Sequence, residues 1–137
     1  PARNNVYTQI VNGGISLVKN GKFLPVLSAT KVNGDNIMGM YALSGNKTLL
    51  ITHKQGFFIM EGSEATPVHT SLDAELSRSL VNRTALLNPT TLIVGTIKNG
   101  VYAINLNNFQ VIWHYNKANG LHNNTVLNLY VDNSKNL

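Results

Sequence analysis

Four histidines, His53, His69, His114 and His122, and six carboxylates are what this chain of 137 residues has for acid–base or metal chemistry. No two histidines stand at i,i+4 or as His-x-His, the spacings that bring imidazoles onto one metal ion from a helix or a strand. The carboxylates are spread along the chain and offer no local pair of the kind glycoside hydrolysis uses. Cysteine is absent, which excludes thiolate zinc sites, cysteine nucleophiles and disulfides. Nucleophile-elbow, P-loop and dinucleotide fingerprints are missing too. Gly13-Gly14 lies between two apolar runs and not ahead of a helix, so it reads as a hairpin turn and not as a phosphate cradle. The sequence therefore predicts no catalytic residue, no metal site and no cofactor: a segment that is not an enzyme.

Charge points the same way. Eleven Lys and Arg against six Asp and Glu give a formal +5, but Lys19, Lys22, Lys31, Lys47, Lys54, Lys98, Lys117 and Lys135 are scattered, mostly beside Asn or Gly. A nucleic-acid footprint clusters its cations, so no nucleic acid is expected on this segment. No apolar run approaches the ~18 residues of a membrane span, and none is expected here. Pro1 is not followed by a charged n-region and an apolar h-region, so any targeting signal is expected to be removed or to lie outside this piece.

The elements that must position any binding residue are short strands. Asn occupies 20 positions and Gly 11, and they punctuate runs of four to seven residues rich in Val, Ile, Leu, Thr, Tyr and Phe. Asn12-Gly13-Gly14, Lys54-Gln55-Gly56 and Lys98-Asn99-Gly100 read as hairpin turns. Their last glycines lie 42 and 44 residues apart. The runs beginning at Ile37, Val81 and Val126 give a second register, with spacings of 44 and 45. A period in the low forties built of short strands is that of a four-stranded propeller blade. The fold class expected is all-β, a β-propeller segment of four-stranded antiparallel blades. One unit reads as strands over 81–87, 91–96, 101–104 and 110–114, and the one before it as 37–43, 48–52, 57–60 and 66–69. A single helical turn is expected from Thr70 to Leu76, where Thr70 and Asp73 have capping-box spacing.

The run from Asn119-Gly120-Leu121 through Val126-Leu127-Asn128-Leu129-Tyr130-Val131-Asp132 to Asn136-Leu137, with Ile93-Val94-Gly95-Thr96-Ile97-Lys98-Asn99-Gly100-Val101, resembles the two-component regulator propeller repeat. Tyr7, Leu49 and Ile93 stand at that family's tryptophan position, and Gln9 and Ile51 where it has glycine. The resemblance implies an arc of a larger, seven-bladed propeller in the periplasmic sensor of a Bacteroides-type hybrid two-component regulator, anchored in the inner membrane. It also implies an oligosaccharide ligand, a cytoplasmic histidine kinase as the switched output and a homodimer of the full sensor. The single domain 1–137 divides into a partial blade at 5–27, blades at 36–72 and 80–116, and the first strand of a further blade at 124–137. These add up to three blades' worth, so the chain is expected to need the remaining blades of the same propeller.

Topology sets where a ligand would be met. In such a blade the turn between second and third strands and the loop entering the next blade share one rim. His53, Lys54, Lys98, Asn99 and His122 fall there, with Asn12, and Arg83 lies on an innermost strand. Planar amides and imidazoles match sugar hydroxyl pairs, and the lysines suit an acidic sugar. Trp113 and Tyr115 alternate on the outer strand and are expected to pack between blades. The alternative is a non-catalytic scaffold for protein interaction or dimerisation, as in a one-component transcription regulator.

Overall fold

The computed structural model describes residues 5–10 and 14–137. Three antiparallel meanders follow one another along the chain. The first holds β1 (Val6–Gln9), β2 (Ile15–Lys19) and β3 (Lys22–Leu27). The second holds β4 (Ile37–Ala42), β5 (Lys47–Thr52), β6 (Phe57–Glu61) and β7 (Glu64–Val68). The third holds β8 (Val81–Asn88), β9 (Thr91–Thr96), β10 (Val101–Asn105) and β11 (Gln110–Tyr115). A 3-10 helix, Ala29–Val32, leads from the first sheet to the second, and α1 (Asp73–Ser79) from the second to the third. Each strand pairs with its neighbour in sequence, as four-stranded propeller blades require.

The repeat in the sequence is a repeat of hydrogen bonds. Ile10 N–H donates to the Gly14 carbonyl at 3.3 Å, Thr52 to Gly56 at 3.0 Å and Thr96 to Gly100 at 2.9 Å. In the two full blades the threonine hydroxyl donates to the same carbonyl, and it accepts the N–H of Gln55 or Asn99 at 3.0 Å. Such a turn leaves its last residue left-handed, with φ of 80° at Gly56 and 73° at Gly100, where a side chain would be strained. Ile10 takes the threonine position in the first sheet and has no hydroxyl to give. The Asn12-Gly13 part of that turn lies outside the described residues.

Alternation of side chains distributes the core between sheets. Leu49, Ile51 and Phe57 of the second sheet meet Val81, Leu92, Val94, Tyr102 and Ile104 of the third, with Leu72 and Leu76 closing the end. The opposite face of the second sheet, Leu50, Phe58 and Met60, meets Ile15, Leu27 and Val32. The central strands are thus buried on both faces, and β9 is buried along its whole length. Each such Leu, Ile, Val or Phe contributes about 1.5–3 kcal/mol by leaving water, which is what lets a chain without disulfides hold together.

Three expectations shift. The helical turn expected at Thr70–Leu76 is the seven-residue α1, displaced to Asp73–Ser79. Asp73 accepts the Thr70 N–H at 3.1 Å and its hydroxyl at 2.8 Å, while Leu76 anchors the helix in the core. The outer strand expected at 66–69 is β7 at Glu64–Val68, because the turn at Gly62 brings Glu64 opposite Glu61. Val126–Val131, strand-like in composition, has no ladder partner among the described residues.

Candidate functional site

The hairpin turns and the inter-blade connections meet along one rim. His53 N–H donates to the Asn36 carbonyl at 2.9 Å, and Val81 N–H to the His53 carbonyl at 3.0 Å. One blade further, Ile97 and Lys98 donate to the Ser79 carbonyl at 3.2 and 3.0 Å, and Gly100 to that of Asn124 at 2.8 Å. The Thr125 hydroxyl donates to the Ile97 carbonyl at 2.8 Å. Segments 35–36, 53–55, 79–81, 97–100 and 124–126 are laced together by their backbones.

Not every residue on that rim has its side chain to spare. His53 is half-buried, with Nδ1 at 2.6 Å from the Val81 carbonyl. A carbonyl only accepts, so Nδ1 carries the proton. The Asp35 carboxylate accepts the backbone N–H of Lys54 at 2.6 Å and of Gln55 at 2.9 Å. That fixes the turn and leaves the Lys54 side chain in solvent. Lys98 and His122 are exposed as well. Arg83 is exposed on β8 and donates to the Asn82 carbonyl at 2.8 Å. On the same inner edge Thr84 donates to the Met38 carbonyl at 3.1 Å and accepts the Tyr41 hydroxyl at 2.8 Å, so β4 and β8 touch.

Asn99 is committed inside the protein. Its amide N–H groups donate to Glu75 Oε1 at 2.8 Å and to the Tyr102 hydroxyl at 2.7 Å. Its side-chain oxygen accepts from Asn116 at 2.9 Å, and its backbone carbonyl accepts from His114 Nε2 at 2.7 Å. The same Glu75 oxygen accepts the Tyr102 hydroxyl and the Ser79 hydroxyl, both at 2.9 Å, and Arg78 donates to the other oxygen at 3.0 Å. The Tyr102 and His114 rings stack at 4.0 Å with an 8° tilt.

Hydrogen bonds from Asn99, Arg78, Ser79 and Tyr102 hold the Glu75 carboxyl down at about 2. Burial and the neighbouring Glu75 push the Tyr102 phenol up to about 12. A carboxylate so well supplied with donors is a fixed acceptor and not a proton donor near neutrality. This cluster of Glu75, Tyr102, His114 and Asn116 was missed in the sequence because α1 and two strands bring it together. The one local signal was Asn99 itself, at the turn position that Gln55 fills in the previous blade.

Among the described residues, no three of His, Asp and Glu are grouped to hold a metal ion, and no helix is long and apolar enough to cross a membrane. Trp113 joins Ile93, Val101 and Ala103 in a third apolar cluster, with its ring 5.3 Å from that of Tyr115. A cleft of about 190 Å³ opens between β1 and β4, lined by Tyr7, Thr8, Gln9, Ile37 and Met38 among others. A wider groove of about 460 Å³ follows the start of β2 and the end of β3. Neither cleft is lined by His53, Lys54, Lys98, Asn99, His122 or Arg83.

No family model and no curated protein matches the chain. Its fold is that of part of a solved structure, the extracellular domain of a protein assigned as a hybrid two-component system of B. thetaiotaomicron. The TM-score is 0.69 at 17% identity, over 98% of this chain and 18% of that one. The chain thus spans less than a fifth of the length of its structural neighbour. The likeness shows the fold, a β-propeller segment of antiparallel blades.

Proposed function

We propose that the chain is an input segment of a two-component sensor on the periplasmic side of an inner-membrane-anchored protein. It binds an oligosaccharide and catalyses nothing, and occupancy is relayed to a histidine kinase elsewhere in the longer protein. The observation that carries the reading is the rim, whose backbone is locked at the Gly56 and Gly100 turns while Lys54, Lys98 and His122 extend from it into solvent. Pre-organised turns carrying exposed cations bind with little ordering cost, and cations favour an acidic sugar. The likeness of the fold to a sensor's extracellular domain supports the same class. Arg83, on the inner edge, joins the set as a channel-facing cation. His53 and Asn99 act as positioning residues, because their polar atoms are already engaged.

Isothermal titration of the full sensor domain against neutral and acidic glycan fragments tests this. An acidic fragment should bind, and Lys54→Ala with Lys98→Ala should weaken it by about 1–3 kcal/mol. Unchanged affinity in the double variant removes the rim from the site. Tight self-association with no glycan bound favours the scaffold reading, which draws its own support from apolar side chains left open on the first sheet, Val6 at 61% and Phe23 at 60% exposure.

A further inference from the structure

Asparagine followed by glycine recurs at Asn12-Gly13, Asn20-Gly21, Asn33-Gly34, Asn99-Gly100 and Asn119-Gly120. The pair has chemistry of its own. With no Cβ on the following residue, the glycine nitrogen can reach the asparagine side-chain carbonyl carbon, and this makes asparagine a labile residue. Attack needs a side-chain amide free to turn, a peptide N–H free to lose its proton, and a backbone free to swing. The first pair lies outside the described residues, and the fold treats the other four differently. The Asn99 amide is held by Glu75, Tyr102 and Asn116, and Gly100 N–H donates to the Asn124 carbonyl at 2.8 Å. The Asn119 amide accepts the Asn116 N–H at 2.6 Å and donates to the His114 carbonyl at 3.0 Å. At Asn33 the backbone is held instead, because Gly34 N–H donates to the Ala29 carbonyl at 2.9 Å and Asp35 N–H to that of Val32 at 3.0 Å. Asn20 and Gly21 have none of these restraints. Among the described residues, neither the Asn20 amide nor the Gly21 N–H has a hydrogen-bond partner. The two residues form the exposed turn between β2 and β3, both left-handed, at φ of 51° and 73°. Open space surrounds the place where a Gly21 side chain would stand. The Lys19–Lys22 pair closes the ladder just below, so the tip can swing while the strands stay paired.

We propose that Asn20 is a site of spontaneous covalent modification in the folded protein, converted to aspartate and isoaspartate ahead of the other described Asn-Gly pairs. The Gly21 nitrogen gives up its proton to solvent base and bonds to Asn20 Cγ. The Cγ–Nδ2 bond breaks, and the amide nitrogen takes up a proton in turn and leaves as ammonia. Water then opens the cyclic imide. Opening at Cγ restores the ordinary backbone and leaves aspartate, whereas opening at the Asn20 main-chain carbonyl routes the chain through Cβ and Cγ and leaves isoaspartate. Either product ionises, lowers the formal charge of +5 by one, and sets a carboxylate between Lys19 and Lys22. The two products differ in what they do to the sheet. Asp-Gly suits the same left-handed two-residue turn as Asn-Gly, so aspartate leaves the hairpin intact. Isoaspartate adds one carbon to the backbone of a loop whose length fixes the register. The pairs Lys19–Lys22, Val18–Phe23 and Leu17–Leu24 then lose their alignment. Because β3 also carries Leu27 into the core shared with the second blade, the damage reaches the interface between blades.

The test is to hold the 137-residue chain at mildly alkaline pH, where the attacking nitrogen loses its proton more readily, and to follow each Asn-Gly pair by mass-spectrometric peptide mapping. Asn20 should convert first, about tenfold or more ahead of Asn99 and Asn119, because each of those must first break hydrogen bonds in its own turn. In concentrated urea the rates of the four pairs should draw together, since the selectivity belongs to the fold. Asn20→Asp should melt with the parent chain. The fraction carrying isoaspartate, separated by chromatography, should melt below it. Asn99 or Asn119 converting as fast as Asn20 in the folded chain would overturn the proposal, and so would an equal lead for Asn20 in urea.

Discussion

Glu75 shows what a side chain's partners can do to its chemistry. Its carboxylate takes four donors, and its proton affinity is lowered from an ordinary 4.5 to about 2. The ionised form is thus favoured in the fold, and the stabilisation is fully present above pH 4.5 and lost as pH falls through about 2. With the side chain 33% exposed, solvent screening reduces the contribution to about 1–2 kcal/mol. Glu75→Gln should therefore be less stable than the parent in urea unfolding at pH 7 and should converge with it near pH 2. An equal gap at both values would show that packing, and not charge, is what the substitution removes. Tyr102 sets the alkaline limit, since its phenol at about 12 keeps the neutral form in the fold, and that support fades as pH rises past its ordinary 10.0 toward 12. Sequence reasoning placed Asn99 among sugar ligands because asparagine in a turn reads as exposed. What it could not show is α1 laid across the turn, which converts that amide from a surface group into a strut.

At the scale of the element, the hairpins were legible because their bonds are local. A threonine four residues before a glycine, repeated at Thr52-Gly56 and Thr96-Gly100, carries its own turn in local bonds, and local bonds are what a sequence displays. Val126–Val131 has strand composition, but a strand exists only with a partner, and the partner is set by tertiary placement. The inner strands add a close approach that only structure reveals. A methyl group built on Gly39 would collide with the Thr84 hydroxyl and leave the inner strands no room to meet. Gly39→Ala should therefore destabilise by about 1–2 kcal/mol, the overpacking cost of 1–3 less the unfolded-state gain of removing a glycine. Thr84→Ala in the same chain should recover part of it, a non-additive result that only direct contact produces. Additive losses in thermal melts of the four chains would place the strain elsewhere.

At the largest scale the three sheets follow one another as blades, and their stability is distributed like that of a repeat protein, as a sum of blades and of the interfaces between them. The second blade is covered on both faces, by the first sheet and by the third. The third is covered on its far face by the segment after β11, with Leu121, Val126 and Leu129 over Ile93 and Val101. The first sheet holds three strands among the described residues, and its outer strand β3 is exposed from Lys22 to Pro25. Amide protons open by local and sub-global unfolding, each with the free energy of the unit that must come apart. Amides of β5, β6, β9 and β10 should exchange last, through global unfolding. Those of β1 and β3 should exchange orders of magnitude sooner, by the first sheet opening as a unit, with β7 and β11 between. Uniform exchange across the three sheets would mean that the arc unfolds as one cooperative block and that the first sheet is held as firmly as the blades it leans on.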